Sequence, residues 1–438
     1  LVCEEGDCGA CTVLIGRPGP QGLNYLAINS CIYALYQADA AHVVTVEGLA
    51  NSELHPVQEA MVACHGAQCG FCTPGFVMAM AGLCEQKRGE RLSNEDLRRG
   101  LTGNLCRCTG YAPIIEAGQS IDPARVPALS ALFGEAEMQP DLNALAKDGL
   151  HITCANKRLD RPVDLAEAID FLRQGAVLVS GATDLGVQQN KGRREIEWHL
   201  SPASLAELGG VSKNEDHIDV GALATWSELE EILGGQGEFA HILSVFASPQ
   251  IKNAGGMAGN IINGSPIADS LPYLMVSEAT LFLASAEGKR ELPLRELYRG
   301  YKDLALRKGE VLMRIRIPLL KEGMLGLYKV SKRRDLDISS FTAAIYVRLA
   351  EQRIAEARVS LGGIAPVVSR QENVERFLEG KPFQRETFLL AGDLAARSIQ
   401  PLSDVRGSRE YRLMLARNTF LRFFLEKHSN ASVLQSAQ

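Results

Sequence analysis

The chain has 438 residues, of which 46% are hydrophobic and 22% are charged, and its mean hydropathy is close to zero. This length suggests about three domains, and the composition is typical of a globular protein rather than a disordered one. The formal charge of −6 and the pI of about 5.9 argue against a strongly basic surface. We therefore expect neither nucleic acid nor an anionic membrane as a partner.

The apolar stretches of the chain are short. The longest markedly apolar one, Phe76 to Cys84, is far below the roughly 20 residues that cross a bilayer, and no charged and apolar leader precedes it. We therefore expect no membrane span and a cytoplasmic location. The chain begins at Leu1 and reaches its first candidate metal ligand at Cys3, from which we infer that an N-terminal segment is missing.

Cysteines divide the chain into two parts. Ten of the eleven lie between Cys3 and Cys108, and only Cys154 lies beyond them. A secreted disulfide scaffold would be small and rich in cysteine throughout, whereas here a cysteine-rich head precedes a long body. Metal binding is therefore the better interpretation of the head.

The first predicted elements are short strands with glycine-rich turns. The segment His42 to Val46 alternates as a strand does, and Gly6 and Gly9 supply the turns, so residues 1–50 predict a small sheet. Its cysteines have the spacing C-x₄-C-x₂-C, with a fourth in a later segment, which is the arrangement of plant-type ferredoxins. These candidate ligands are Cys3, Cys8, Cys11 and Cys31.

Two alternatives stay open for this first group, a zinc site and unrelated buried cysteines. Zinc usually prefers paired C-x₂-C units, so a [2Fe–2S] cluster is favoured. Cys31 is the least secure ligand, because Cys64 and Cys84 are rivals for the fourth position.

The next segment predicts a small helical domain. Helices are expected around Pro56–His65, Phe76–Arg88 and Asn94–Leu101, the last capped by Ser93. Four more thiolates can converge there, from a C-x₂-C pair and a C-x-C pair. A C-x-C pair is cramped for most zinc sites, so zinc is the less favoured alternative. The four cysteines are Cys69, Cys72, Cys106 and Cys108.

Residues 122–150 have three prolines and little periodicity, and they predict a connector. From about Arg158 helices and strands alternate, which indicates an α+β or α/β body, followed by a last module with its own strands and an amphipathic helix. The predicted elements are a helix at Leu165–Gln174, strands at Val177–Ser180 and Ile218–Leu223, a hairpin of Ala279–Ala286 and Lys289–Leu292 turning at Glu287-Gly288, strands at Thr342–Leu349 and Ala355–Leu361, and a helix at Ser408–Lys427.

Two glycine-rich segments are candidates for binding a phosphate group. No G-x-G-x-x-G fingerprint follows a strand, so a Rossmann site is not supported. The runs LVSGATDLG, 178–186, and GGMAGNIINGS, 255–265, combine glycines with Ser, Thr and Asn, and consecutive amides in such loops can cradle a pyrophosphate. Taken alone, such loops are more often simple turns.

The motifs CEEGDCGACTV, HPVQEAM, QCGFCTPGF and GNLCRCTGY resemble those of the xanthine dehydrogenase family of molybdenum hydroxylases. Both glycine-rich segments, SPIAD ending at Asp269 and YKVSKRRDLDIS beginning at Tyr328 extend the resemblance over nearly the whole chain. It implies a multidomain α+β fold. The implied domains are a partial plant-type β-grasp ferredoxin domain at 1–50, a four-helix [2Fe–2S] domain at 51–121, a linker at 122–155, a PCMH-type α+β FAD-binding domain at 156–323 and an α+β C-terminal flavoprotein domain at 324–438.

The resemblance also implies roles for the cysteines. All eight motif cysteines would be ligands of two [2Fe–2S] clusters, and the second cluster would lie nearest a molybdopterin on a partner chain, with Gln68 and Cys108 facing it. Cys64, Cys84 and Cys154 lie outside the motifs, and we expect them to be small buried apolar residues.

For FAD, the resemblance implies contacts to the phosphates and sugar from both glycine-rich segments, with Phe246 packing beside the flavin ring. Lys329 would lie near the isoalloxazine, although a solvated lysine is individually more common. Gly256 stands where family members often carry a hydroxyl residue, so one contact is in doubt. The run 332–334, Lys-Arg-Arg, is either a solvated face or a site for an anionic nicotinamide. The expected contacts are Leu178, Val179, Ser180, Gly181, Ala182, Thr183, Asp184, Leu185, Gly256, Met257, Ala258, Gly259 and Asn260, with Ser265 and Asp269 nearby.

The implied function is an electron relay. Electrons would pass from a molybdopterin centre that oxidises hypoxanthine or xanthine, through two clusters, to FAD and then NAD⁺. Because the sequence stops after Gln438, we expect a separate molybdopterin-binding large subunit, as with the small subunit of a bacterial two-subunit enzyme, in a heterotetramer or another dimer of heterodimers. The alternatives are the same relay for an aldehyde or N-heterocycle and a zinc-bound, non-catalytic scaffold.

Overall fold

The computed structural model describes residues 2–19, 22–51 and 53–435, and for 429–435 it describes the backbone alone. The chain divides into two compact units. The first comprises Leu1–Ala206, Thr225–Ser227 and Ala247–Gly256, and the second comprises Glu207–Ala224, Glu228–Phe246 and Met257–Gln438. In the described ranges no helix is both long enough and apolar enough to cross a membrane.

The first unit begins with a three-stranded antiparallel sheet in the order β2-β1-β3. The strands are β1 Thr12–Gly19, β2 Gly22–Asn29 and β3 His42–Val44. Leu14, Tyr25 and Val44 are buried on one face and form the core of this sheet. The predicted strand at His42–Val46 is confirmed for its first three residues, and it ends there because a short helix, α1 Val46–Leu49, follows.

Four helices follow the sheet. They are α2 Pro56–Ala63, α3 Thr73–Gln86, α4 Asn94–Gly100 and α5 Ala112–Ser120. Helix α3 is apolar over most of its surface and is buried along most of its length, as expected for a central helix. The Ser93 side chain accepts a hydrogen bond from the N–H of Asp96 at 3.1 Å, which confirms the predicted cap of α4.

The segment predicted to be a connector contains two helices. It forms α6 Leu129–Phe133 and α7 Glu135–Leu145, with Pro140 inside α7. Leu129 is buried, and Phe133 and Leu142 pack against the same core as the first sheet and α3. The sequence left the structure of this segment open, because its prolines masked this apolar spacing.

The rest of the first unit holds a four-stranded sheet in the order β4-β5-β7-β6. Strands β4 and β5 are antiparallel, whereas β7 is parallel to both β5 and β6. The predicted helix at Leu165–Gln174 is confirmed as α8. The elements are β4 Leu150–Cys154, β5 Lys157–Arg161, α8 Leu165–Gln174, β6 Val177–Leu178, α9 Leu185–Asn190 and β7 Trp198–Leu200.

The second unit begins with a five-stranded antiparallel sheet in the order β11-β10-β14-β9-β8. The predicted hairpin is confirmed, and its turn is Ala286 and Glu287, one residue earlier than expected. The elements from here to the end of this sheet are β8 Val211–Lys213, β9 His217–Gly221, α10 Trp226–Leu233, α11 Gly237–Val245, α12 Pro249–Lys252 of the first unit, α13 Met257–Asn263, α14 Leu271–Val276, β10 Thr280–Ser285, β11 Gly288–Pro293, β12 Tyr298–Gly300, β13 Asp303–Leu304 and β14 Val311–Pro318.

The C-terminal part is a four-stranded antiparallel sheet, in the order β15-β16-β17-β18, with helices after it. Phe341, Phe388, Phe420 and Phe423 are fully buried between the sheet and the last two helices. The elements are β15 Met324–Val330, β16 Phe341–Ala350, β17 Arg353–Gly362, β18 Ser369–Arg370, α15 Glu372–Leu378, α16 Arg385–Ser398 and α17 Arg409–Gln435. The predicted multidomain α+β class is confirmed.

Candidate cofactor sites

The first cysteine group is a tight loop before β1, together with Cys31 after β2. Its thiols are paired by hydrogen bonds, Cys3 with Cys8 and Cys11 with Cys31. Gly6 and Gly9 have φ of +74° and +68°, which lets the loop turn back on itself. The structure thus brings together all four cysteines predicted for this group.

Within the second pair, the two thiols differ in acidity. The hydrogen bond from the Cys31 thiol lowers the pKa of Cys11 to about 6. The same contact, together with burial, raises the pKa of Cys31. Cys11 is therefore ready to act as a thiolate ligand near neutral pH, since the thiolate is the metal-binding form.

The second group lies between α2 and α5. The Cys69 and Cys108 sulfurs are 3.5 Å apart, and Cys72 is hydrogen-bonded to Cys106. Cys106 and Cys72 lie inward, whereas Cys69 and Cys108 are exposed. Again four predicted cysteines converge as two pairs.

Donors surround the Cys106 sulfur. The Thr109 hydroxyl lies 3.1 Å from it, and the N–H groups of Thr109 and Cys108 donate to it at 3.4 and 3.5 Å. Burial by itself would raise the pKa of Cys106, but these donors lower it to about 7. Burial and the hydrogen bond with Cys106 raise the pKa of Cys72 to about 12.

The two cysteine groups are in direct contact. The N–H of Leu105, next to Cys106, donates to the carbonyl of Cys8 at 2.9 Å. The Asn104 side chain donates to the carbonyl of Gly9 at 3.1 Å. Gly75 must be glycine, because a Cβ there would lie 2.1 Å from that same carbonyl. The hydrogen bond between Leu105 and Cys8 therefore connects a candidate ligand of the first group, Cys8, to the residue that precedes Cys106, a candidate ligand of the second group.

A buried polar junction supports this contact. The Gln250 side chain, 1% exposed, donates to Asn104 Oδ1 at 2.8 Å, and the Thr12 hydroxyl donates to the Gly9 carbonyl at 2.6 Å. Sequence reasoning missed Gln250, Asn104 and Thr12. Nothing in the motifs signals that residues so far apart in the chain meet.

The thiols form pairs rather than a single tetrahedral cage. In the described part of the chain, no three histidine, cysteine or acidic side chains converge so as to hold one metal ion. Two thiolates per iron is the ligand pattern of a Cys₄ [2Fe–2S] cluster. The donor set and its pairing therefore fit two such clusters.

The three other cysteines differ from one another. Cys84 is buried in α3, as predicted, and Cys64 is half-buried beside Ser120 at 3.8 Å. Neither joins the first group. The prediction was wrong for Cys154, which is exposed because it ends the edge strand β4.

In the first unit, the first glycine-rich segment forms a turn between β6 and α9. A Cβ at Gly181 would lie 2.0 Å from the carbonyl oxygen of Ala254, and one at Gly255 would lie 3.1 Å from Thr183 Oγ1. Ala182 adopts a left-handed φ of +58°. The two glycine-rich segments therefore touch at Ala254 and Gly255, and their glycines are needed for backbone to approach this closely.

In the second unit, the remaining predicted residues surround α13. Met257, Ala258, Gly259 and Asn260 form its first turns. Asn260 Oδ1 accepts a hydrogen bond from Ser270 at 2.7 Å, and Ser265 Oγ accepts one from the N–H of Ile267 at 3.4 Å.

Lys329 and Asp269 form a buried ion pair in the second unit. The Lys329 Nζ is 2.6 Å from Asp269 Oδ2, and the two side chains are 5% and 8% exposed. Lys329 also donates to the Asp337 carbonyl at 2.7 Å and to Ser339 Oγ at 2.9 Å. The alternative of a solvated lysine is therefore wrong.

The other flavin-associated predictions lie at the surface of the second unit. Phe246 follows α11 and is half-buried. Lys332 and Arg333 are exposed, and they bind the Val405 carbonyl at 2.8 Å and the Asp337 carboxylate at 3.5 Å respectively. Arg334 is exposed as well. This basic run is at least partly a solvated face.

Three family models match the chain. Residues 45–119 match the [2Fe–2S] binding domain, residues 155–320 match the FAD binding domain in molybdopterin dehydrogenase, and residues 326–427 match the CO dehydrogenase flavoprotein C-terminal domain. Together the matches cover most of the chain in this order.

The sequence is similar to xanthine dehydrogenases. It is 30% identical to the enzyme of Emericella nidulans, covering 97% of this chain and 36% of the relative. It is 30% identical to the xanthine dehydrogenase/oxidase of Gallus gallus, with 97% and 37% covered, and 32% identical to the Drosophila subobscura enzyme, with 92% and 35% covered. The chain thus spans little more than a third of the length of these relatives.

Two solved structures are similar in fold to a little over three fifths of this chain. A carbon monoxide dehydrogenase from Hydrogenophaga pseudoflava matches with a TM-score of 0.58 at 24% identity, covering 62% of this chain and 96% of that one. Quinoline 2-oxidoreductase from Pseudomonas putida 86 matches with a TM-score of 0.57 at 24% identity, covering 64% and 99%. The domain matches, the relatives and the two groups of paired thiols agree, and the chain belongs to the molybdenum hydroxylase family, of which it contains the iron–sulfur and FAD-binding domains.

Proposed function

We propose that this chain is the electron-transfer part of a xanthine dehydrogenase, and that it passes electrons from a molybdopterin centre to NAD⁺. Its membership of the family supports an oxidoreductase relay with [2Fe–2S] and FAD. The finer points, which are the purine substrate, NAD⁺ as acceptor and two clusters in this chain, are part of the proposal.

The observation that carries the proposal is the twofold pairing of thiols at each of two sites. Eight cysteines provide two pairs per site, which suits two irons per site with two thiolates each. A zinc scaffold would instead need four thiolates around one ion. The paired geometry supports the relay over that alternative.

Bound clusters would supply one-electron transfer, and bound FAD would supply two-electron chemistry, including exchange of a hydride with NAD⁺. The residues of the chain provide the spacing and the electrostatics. The donors around Cys106 stabilise the added negative charge on its sulfur, and the hydrogen bond from Leu105 to Cys8 fixes the two sites next to each other.

We propose FAD contacts in each unit. In the first unit they are the turn residues Leu178 to Leu185, whose backbone packs closely against Ala254. Consecutive amides of such a turn can bind a phosphate group. In the second unit they are Met257 to Asn260, with Ser265, Asp269 and Phe246 nearby. The buried pair with Asp269 holds the Lys329 ammonium in place, so we propose that Lys329 orients Asp269 rather than acting as a free charge.

We propose that the molybdopterin centre is on a separate large subunit, in a heterotetramer or another dimer of heterodimers. The exposed pair Cys69 and Cys108 supports a docking face at the second cysteine group. Phe71, 65% exposed, lies beside them, and Gln68 is exposed too. Aromatic side chains such as Phe71 are enriched in protein interfaces.

The purine assignment rests on the relatives, which are named xanthine dehydrogenases. The same relay can serve an aldehyde or an N-heterocycle, because substrate selection belongs to the molybdenum centre. This alternative remains the second candidate.

The test is to purify the chain with its co-purifying partners and to measure NAD⁺ reduction with xanthine, an aldehyde and quinoline. We expect activity with xanthine and a molybdopterin-containing second polypeptide in the complex. Activity with the aldehyde or quinoline alone would reject the purine assignment. If a complex with full iron and FAD is active with none of these substrates, the purine, aldehyde and N-heterocycle assignments are all rejected.

A further inference from the structure

We infer that Asn190 and Lys191, at the C-terminal end of α9, form a clamp on the first cysteine loop, and that the charge of Lys191 raises the reduction potential of the cluster held there. This rests on the proposed relay. No motif singles out either residue. Both follow the glycine-rich turn, in the FAD-binding domain.

The clamp consists of three hydrogen bonds to backbone carbonyls. Asn190 Nδ2 donates to the carbonyls of Glu4 at 3.0 Å and Cys31 at 2.7 Å. Lys191 Nζ donates to the carbonyl of Cys3 at 2.7 Å. Two of the three acceptors thus belong to candidate ligands, Cys3 and Cys31, which lie in different segments of the chain. The clamp therefore holds these segments in register.

Helix α9 approaches the cysteine segment very closely. A Cβ at Gly186 would lie 2.6 Å from the carbonyl oxygen of Ile32, the residue after Cys31. This glycine is needed for α9 to lie against the segment, and so for the ends of Asn190 and Lys191 to reach the carbonyls. Residues 178–191 therefore begin with the turn that is predicted to bind FAD and end with the clamp.

Lys191 also has an electrostatic role. The loop from Cys3 to Cys11 contains Glu4, Glu5 and Asp7 and no lysine or arginine. Lys191 Nζ lies 3.6 Å from Glu5 Oε2, and its side chain is 31% exposed, so water screens it only in part. Because reduction adds negative charge to a cluster, a nearby cation stabilises the reduced form.

A higher potential at the first cluster favours electron flow towards it. The first cysteine group is the one that the FAD-binding domain contacts through α9. The clamp would thus draw electrons from the second cluster towards the flavin side of the relay.

The test is an EPR-monitored potentiometric titration of the full chain, purified anaerobically with its cofactors. The variants are Lys191→Met, Lys191→Gln and Lys191→Arg. The matched control is Lys157→Met, which removes an exposed lysine of the same unit that pairs with Glu195 at 4.0 Å. The shift of one EPR signal in Cys3→Ser assigns the first cluster, and the second cluster serves as an internal reference.

We expect Lys191→Met and Lys191→Gln to lower the reduced-to-oxidised ratio of the first cluster about threefold at a fixed potential. Lys191→Arg and Lys157→Met should leave this ratio unchanged. No variant should shift the reduction potential of the second cluster. We also expect Asn190→Ala to lose first-cluster iron to a chelator faster than the unsubstituted chain, with the second cluster retained.

If the reduction potential of the first cluster is unchanged in Lys191→Met, at full iron and FAD content, the inference is overturned and the proposed relay is not affected. Equal shifts in the reduction potentials of both clusters, or an equal shift in Lys157→Met, would overturn the inference too. Such a result would mean that the net charge of the protein, and not the position of Lys191, changes the potential. An unsubstituted chain without iron would instead overturn the proposed function.

Discussion

At the scale of single residues, the Lys329–Asp269 pair is the clearest example of a role that the sequence does not reveal. A lysine in a motif is most often solvated, yet Lys329 is buried against Asp269, Ser339 and the Asp337 carbonyl. Removing one partner of such a pair leaves an uncompensated buried charge, which is costly.

We therefore expect Lys329→Met to lower the free energy of unfolding by about 3 kcal/mol and to reduce the FAD content. Lys332→Met is the control, because Lys332 is exposed and should change stability by less than about 0.5 kcal/mol. Urea unfolding and the flavin absorbance of the purified variants measure both effects. Equal stabilities of the two variants would contradict the structural role of the pair.

The hydroxyl of Thr109 gives a second residue-scale prediction. It lies 3.1 Å from the Cys106 sulfur, and a donor there stabilises the charge added on reduction. Thr109→Val should therefore destabilise the reduced second cluster by about 1 kcal/mol, which lowers its potential. A potentiometric titration measures this shift, and Thr109→Ser, which keeps the hydroxyl, should have the potential of the unsubstituted chain. A valine variant with an unshifted potential would exclude this donor role.

The candidate ligands could be identified from the sequence, because metal binding constrains the spacing of cysteines within short motifs. All eight predicted cysteines converge, including Cys31, whose spacing alone left it in doubt. Gln250 and Lys191 could not be predicted in the same way. Their partners, Asn104 and Cys3, are distant in sequence, and a hydrogen bond between distant residues leaves no local pattern.

At the scale of elements, the helices and hairpins with regular apolar spacing were predicted well. Helix α8 matches its predicted position and the β10–β11 hairpin differs by one residue at its turn, whereas α6 and α7 were taken for a connector. Proline at position 140 normally disfavours a helix interior. Here the packing of the apolar side chains outweighs that cost.

This packing predicts that α6 contributes to stability. Leu129 is 2% exposed in the core of the cysteine-rich head, so Leu129→Ala should cost about 3 kcal/mol. Leu145, at the end of α7, is 45% exposed, and Leu145→Ala should cost less than about 1 kcal/mol. Urea unfolding of the two variants compares them. A Leu129→Ala variant as stable as Leu145→Ala would mean that the segment is a loose connector after all.

The edge strand β11 depends on a buried carboxylate. Arg290 of β11 binds both oxygens of Glu310, at 2.6 and 2.7 Å. These hydrogen bonds hold the pKa of Glu310 below its usual 4.5. Because the folded-state pKa is the lower one, the stabilisation is complete above about pH 4.5 and is lost as the pH falls through the folded-state value.

We expect Glu310→Gln to lower the protection of β11 amides against hydrogen exchange by about 2 kcal/mol at pH 7. The difference in amide protection between Glu310→Gln and the unsubstituted chain should become smaller as the pH falls below about 4.5. Native-state hydrogen exchange at several pH values measures this directly. A difference that does not depend on pH would contradict the ionised pair.

At the scale of the whole molecule, the order of the chain is the order of the proposed relay's parts. The two cysteine groups meet at Leu105 and Cys8, and the run 178–191, which begins at the turn proposed to bind FAD, ends on the first group at Lys191. These contacts lie within the first unit, so the two cysteine groups and the run 178–191 belong to one compact unit.

The presence of two [2Fe–2S] clusters and one FAD in this chain can be tested by an anaerobic dithionite titration of the purified chain, combined with analysis of iron, acid-labile sulfide, zinc and flavin. We expect about four irons, about four sulfides and one FAD per chain, and about four electrons taken up, two by the clusters and two by the flavin. Zinc in place of iron, or uptake of no electrons beyond those of the flavin, would contradict the electron relay.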